Sequence, residues 1–73
     1  MIRLPEIKPK QLRKILLARG FLERTGKGSH RVFAHHDGRR TVLSMHNKPL
    51  TVGTLRAILK QIDLSVEELV DEL

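Results

Sequence analysis

Thr25-Gly26-Lys27-Gly28-Ser29-His30-Arg31-Val32-Phe33-Ala34-His35-His36-Asp37-Gly38-Arg39-Arg40-Thr41-Val42-Leu43-Ser44-Met45 holds two glycine-bearing turns and two short apolar runs. Thr25 to Ser29 is a glycine-rich turn, and His30 to His35 reads as a strand built on Val32 and Phe33. Asp37-Gly38 is a hairpin signal because both residues tolerate positive φ, and Thr41 to Met45 forms the return strand. Upstream, Phe21-Leu22-Glu23-Arg24 reads as a weaker first strand. Alternation along the middle strand puts Arg31, Phe33 and His35 on one face and His30, Val32, Ala34 and His36 on the other. Each set mixes apolar and polar residues, so the pattern leaves open which face meets the core.

Helices flank this region. Residues 1–7 read as an irregular lead-in, and Pro9 suits the first turn of a helix, where its missing N–H costs nothing. Leu12, Ile15 and Leu16 then recur at helical spacing, Gly20 stops the helix, and Phe21 folds back on the apolar stripe. Pro49 closes the strands. Thr51 caps a second helix whose Leu55, Ile58, Leu59 and Ile62 follow the i, i+3, i+4, i+7 rule. Ser65 and Glu68 form a capping box, with Leu64 and Leu69 as its hydrophobic staple, so a short terminal helix starts at Val66. The expectation is one α+β domain over residues 1–73, ordered α-β-β-β-α: a three-stranded antiparallel sheet, two helices on one face and a short C-terminal helix.

Charge is unevenly placed. The net charge is +6, with all 14 Lys and Arg in residues 1–60 and an acidic stretch over 61–73. A basic body attracts polyanions because neutralised phosphates release counterions, although such charge also serves solubility alone. With two Phe and no Trp or Tyr, a stacking platform for single-stranded bases is disfavoured, and recognition of an RNA backbone fits better. The acidic tail reads either as a solvated face or as a curb on nonspecific RNA adhesion. No apolar run reaches the ~18 residues of a membrane span, and residues 1–5 lack a signal-peptide core, so a cytoplasmic protein is expected.

With no cysteine, thiolate metal sites and disulfides are excluded. His35 and His36 should point to opposite strand faces and cannot easily share an ion, so neither a metal nor another cofactor is expected. RNA makes metal-free cleavage accessible, because its 2′-hydroxyl is an internal nucleophile beside the scissile phosphate. An imidazole of ordinary pKa near ~6.5 suits the proton transfers, and Lys or Arg the charge neutralisation. In Gly26-Lys27-Gly28-Ser29-His30 the glycines let amides approach a phosphate, Lys27 adds a cation, Ser29 a hydroxyl and His30 the titrating group. The same five residues also fit an ordinary hairpin turn leading into a strand that begins with His, and residue chemistry alone leaves the two balanced.

The succession Leu12…Gly20-Phe21, Lys27-Gly28-Ser29-His30, Thr41…His46 and Gly53-Thr54-Leu55-Arg56-Ala57-Ile58-Leu59-Lys60-Gln61 resembles the HicA family of bacterial and archaeal toxins, over roughly residues 8–70. The resemblance implies a double-stranded-RNA-binding-like fold, metal-independent endoribonuclease action on mRNA, and neutralisation by a HicB-type antitoxin. It places the family's catalytic histidine on His30 and a second recurrent histidine on His46. A proline commonly sits two residues before that second histidine; Ser44 holds the position here. The site expected is therefore His30 as acid/base, supported by Gly28, Ser29 and His46, with Lys27, Arg31, Arg39 and Arg40 on phosphates. His35 and His36 are expected on the surface. A noncatalytic RNA-binding module of the same fold and a protein-interaction module with an acidic partner are the alternatives.

Overall fold

The computed structural model describes residues 3–73. Its elements run α1 (Pro9–Ala18), β1 (Leu22–Thr25), β2 (His30–Ala34), β3 (Arg40–Ser44), α2 (Val52–Ile62) and α3 (Val66–Glu72), the α+β order the sequence suggests. Pro9 opens α1, and the Lys8 amide donates to Gln11 Oε1 at 2.9 Å. Gly20, at φ +89°, ends it: the Gly20 and Phe21 amides donate back to Leu17 O and Leu16 O at 3.2 and 3.0 Å. Those paired bonds satisfy two orphan carbonyls and turn Phe21 into the core.

The same device ends α2 without a glycine. Asp63 takes the left-handed conformation (φ 55°, ψ 46°), and Leu64 N–H reaches Leu59 O at 3.0 Å. The α3 capping box forms as expected, with Ser65 and Glu68 each accepting from the other's amide at 3.0 Å. Leu64 and Leu69 are both buried beside it. Arg19 also approaches Glu68 and Glu72 at 3.7 and 3.8 Å, so part of the acidic tail is held against the end of α1.

The sheet runs β1-β2-β3 with both pairs antiparallel. Phe33 lies opposite Glu23 and Thr41, and Arg31 opposite Leu43, which settles the face left open by the alternation. Phe33 and Leu43 are fully buried against Leu12 and Leu16 of α1 and Leu55 and Ile62 of α2. Burying Phe33 outweighs burying the smaller Val32 and Ala34, since a fully buried large apolar side chain contributes about 1.5–3 kcal/mol. Thr41 shares the covered face, and its hydroxyl is satisfied by Gln61 Oε1 at 2.7 Å. His30, Val32 and Ala34 therefore face away from the helices, together with Leu22, Arg24, Arg40, Val42 and Ser44.

Three local expectations change. The 36–38 loop is not a two-residue turn: His35 O accepts from Gly38 N–H at 3.0 Å, His35 N–H donates to Arg39 O at 2.9 Å, and only Gly38 has positive φ. Asp37 instead uses its carboxylate, accepting from the Arg39 amide at 3.0 Å and Arg39 Nε at 2.8 Å. His35 and His36 do not sit on opposite faces, because β2 ends at Ala34 and alternation stops there; their rings lie 4.4 Å apart. Nor is His35 a surface residue, since its half-buried ring packs edge-on to Phe21 at 5.1 Å. Residues 3–7 lie outside any helix or strand, as expected of an irregular lead-in, yet they are tied down: Ile7 is fully buried and its carbonyl accepts from Leu50 N–H at 2.8 Å. Among the described residues no helix is long and apolar enough to cross a membrane.

Candidate active site

His30 begins β2 on a distorted pairing. Its carbonyl accepts from Gly26 N–H at 2.9 Å, yet its own amide donates to Lys27 O at 3.0 Å. Two residues of the first strand thus oppose one of the second, a β-bulge that re-aims the side chain at the strand end. Gly28 supplies the turn, with φ +58°. Gly26 is needed for another reason: a Cβ there would lie 3.1 Å from His30 O and 3.4 Å from His30 Cβ. That glycine allows the close approach that seats the histidine.

The bulge also fixes the ring. His30 Nδ1 lies 3.1 Å from Lys27 O. A carbonyl can only accept, so Nδ1 carries the proton and donates, leaving the Nε2 lone pair as the reactive one. The side chain is exposed on the uncovered sheet face. An imidazole held at one nitrogen and open at the other can take up and release a proton without changing its anchor.

The other expected residues distribute unevenly around it. Ser29 and Ser44 hydroxyls approach to 3.4 Å, and Met45 N–H donates to Ser29 O at 2.9 Å, tying the glycine turn to the end of β3. Ser44 sits directly opposite His30 in the register. Gly28 and Lys27 are exposed in the turn. Arg31 points to the covered side, where its guanidinium donates to His30 O at 3.2 Å and lies 3.6 Å from Glu23. Arg40 is on the uncovered face but opposite Ala34, at the far end of β2 from His30. Arg39 is also at that far end, bonded to Asp37 and to Ile62 O at 2.6 Å, with its guanidinium over the Phe21 ring. His46 is exposed just past β3. The structure therefore gathers Gly28, Ser29, Ser44 and Lys27 about His30 and leaves Arg39 and Arg40 remote.

Two contributors were not among the candidates. Arg24, opposite Val32, shares the uncovered face with His30 and is exposed. Glu23 accepts from Arg13 Nε at 2.9 Å and faces Arg31, linking α1 to the main chain of His30. Only the strand register reveals either, because both lie in a segment with no motif of its own. The uncovered face also presents apolar surface, with Leu22 69% and Val42 47% exposed. Among the described residues no three His, Cys, Asp or Glu side chains come together as metal ligands would.

No curated protein matches the chain. A family model does, that of the HicA toxin of bacterial toxin–antitoxin systems, over residues 9–64, from the first residue of α1 to the buried leucine after α2. That span holds the whole sheet, the bulge, His30 and His46, and the chain belongs to the HicA toxin family, toxins that have a cognate antitoxin.

Proposed function

We propose that this toxin is a metal-independent endoribonuclease that cuts mRNA in the cytoplasm of a bacterial or archaeal cell, halting translation and growth, with His30 as general acid/base. The observation that carries this reading is the anchored, exposed His30 ring: Nδ1 is held by Lys27 O, and Nε2 is left for proton transfer. The RNA 2′-oxygen attacks the adjacent phosphorus, the bond from phosphorus to the 5′-oxygen breaks, and the products carry a 2′,3′-cyclic phosphate and a 5′-hydroxyl. One proton leaves the 2′-hydroxyl and one arrives at the 5′-oxygen, and His30 Nε2 serves one of these transfers.

Charge on the phosphate is met by the exposed Lys27 and by Arg24 on the same face as His30, with Gly28 and Ser29 amides near the turn. Arg40 extends the exposed basic face along which RNA lies, and Arg31 adds charge from the other side of the sheet. Arg39 is occupied by Asp37 and Ile62 O, and His46 flanks the strand end. No cofactor takes part. The uncovered face also suits the antitoxin: an acidic HicB-type protein would cover Leu22 and Val42, meet Arg24 and Arg40 at the rim, and occlude His30.

The test is cleavage of a defined mRNA by purified protein in EDTA. Fragments with cyclic-phosphate ends are expected from the wild type and none from a folded His30→Ala variant that still binds RNA. Undiminished cutting by that variant removes His30 from the chemistry. RNA binding without products from the wild type would leave a noncatalytic RNA-binding module.

A further inference from the structure

His46 and Asn47 form a ridge between two concavities that the catalytic reading leaves unused. On one side a cleft of about 510 Å³ has Pro9, Pro49, Leu50 and Thr54 in its walls and Ser44 at its edge. On the other, a hollow of about 380 Å³ is walled by Lys10, Arg13, Arg31 and a single acid, Glu23. Ser44 faces His30 across β2–β3, and the His30–Ser44 pair lies between hydrogen-bonded pairs, the geometry in which side chains approach most closely. Arg31 follows His30 in the chain and turns to the other side of the sheet. The ridge therefore stands at the strand end that bears Ser44, the cross-strand neighbour of the reactive histidine, with a mostly apolar space on one flank and a cationic one on the other.

We propose that this ridge is a nucleotide subsite: the apolar cleft takes one base of the RNA, and the basic hollow takes a phosphate of the same strand. The inference rests on the ribonuclease reading and adds to it a place where sequence preference is set. The cleft has the size and mostly apolar lining of small-ligand sites, which range over about 300–1,000 Å³. Asn47 at its rim carries both a donor and an acceptor for a base edge. Stacking on exposed Trp, Tyr or Phe rings, the most favourable platforms, is closed to this chain, because it has no Trp or Tyr and both Phe21 and Phe33 are buried. Of the ring side chains, histidines such as His46 on the ridge stay exposed. A concave slot with the His46 ring at its border offers such a chain a way to hold a base. In the hollow, Glu23 is shared between Arg13 at 2.9 Å and Arg31 at 3.6 Å, so three cations meet one acid and the wall keeps net positive charge.

Four 2′-O-methyl homotrinucleotides, which cannot be cleaved, are the probe, titrated into the ¹⁵N-labelled toxin carrying His30→Ala. Chemical-shift changes are expected at Ser44, His46, Asn47 and Thr54 on the cleft side and at Lys10 on the other, stronger for one base than for the rest. Thr54→Leu fills the cleft and Asn47→Ala removes the amide. Each should weaken binding of the preferred trinucleotide about tenfold, the lower end of what one pocket contact decides. With His30 restored, each should redistribute the cut positions on a long RNA while the rate at saturating RNA stays near wild type. Shifts confined to the uncovered sheet face, or unaltered affinity and cut positions in both folded variants, would overturn the subsite. If the wild type cuts no RNA, the ribonuclease reading fails separately, and the trinucleotide shifts alone then decide whether the ridge binds nucleotides.

Discussion

Replacing Gly26 by alanine should impair cleavage without weakening the fold. The added Cβ would stand 3.1 Å from His30 O, so the strand end must yield by a few tenths of an ångström. That movement strains the 2.9 Å Gly26–His30 pairing bond, part of an interaction contributing about 0.5–1.5 kcal/mol. Against it, alanine stiffens the unfolded chain, a gain of about 0.4–1 kcal/mol where φ permits, and Gly26 lacks the positive φ of Gly28. The two offset, and Tm should move by less than about 4 °C. Catalysis has no such offset. If a displacement of ~1 Å costs about 10²-fold, a few tenths cost about four- to tenfold. Gly38→Ala is the reciprocal case: at φ +100° with open space around it, it should cost about 1–2 kcal/mol. It should lower Tm by more than about 4 °C yet leave cleavage unchanged below the melting range. Single-turnover cleavage of a labelled RNA and thermal melts by circular dichroism give both quantities. Wild-type cleavage by Gly26→Ala, or a loss of cleavage that merely follows unfolding, would refute the reasoning.

His30→Ala should lower cleavage by about 10²–10⁴-fold in a gel assay while leaving Tm near wild type, because the ring is exposed and makes one surface hydrogen bond. Asp37 and Glu68 are held below their ordinary values of 3.8 and 4.5, chiefly by the backbone amides of Arg39 and Ser65 respectively. Because folding depresses both, the stability they add is complete above pH 4.5 and is lost as pH falls through the folded values, below 3.8 for Asp37. Urea unfolding from pH 7 downward should therefore show a shallower acid decline for Asp37→Asn/Glu68→Gln than for wild type. Asp63→Gly should raise Tm by several degrees, since it relieves a left-handed residue at φ 55° costing about 1 kcal/mol; an unchanged melt would show that the aspartate side chain compensates.

What the sequence discloses here is what depends on near neighbours. Gly20 with Phe21, Thr51, and Ser65 with Glu68 act within a turn of the chain, and each forms the bond its position implies. The covered face of the sheet could not be read the same way. Arg31-Val32-Phe33-Ala34 offers an apolar residue to both sides, and the choice is made by Leu12, Leu16, Leu55 and Ile62, distant in sequence. Arg39 reads as a phosphate cation because its partners, Phe21 and Ile62 O, lie 18 and 23 residues away. The same limit hides Arg24 and Glu23. At the site, the glycines mark a turn, but a bulge has no periodicity, and the bond from Nδ1 to Lys27 O exists only because of it. Asp63 is the reverse: a helix stop made by a residue whose type does not announce one.

Strand β2 carries a parity. Phe33 is three positions from His30, so one faces the helices and the other the opposite side. Inserting or deleting a single codon between them would flip one of the two, either expelling the phenylalanine from the core or hiding the histidine beneath the helices. No compromise register exists, and a frame-preserving change of one residue here would be as damaging as many missense changes together. A library of single-codon insertions and deletions should then show residues 30–33 as a segment intolerant of any length change. The exposed 36–38 loop, where length is not tied to face, should be able to accept it.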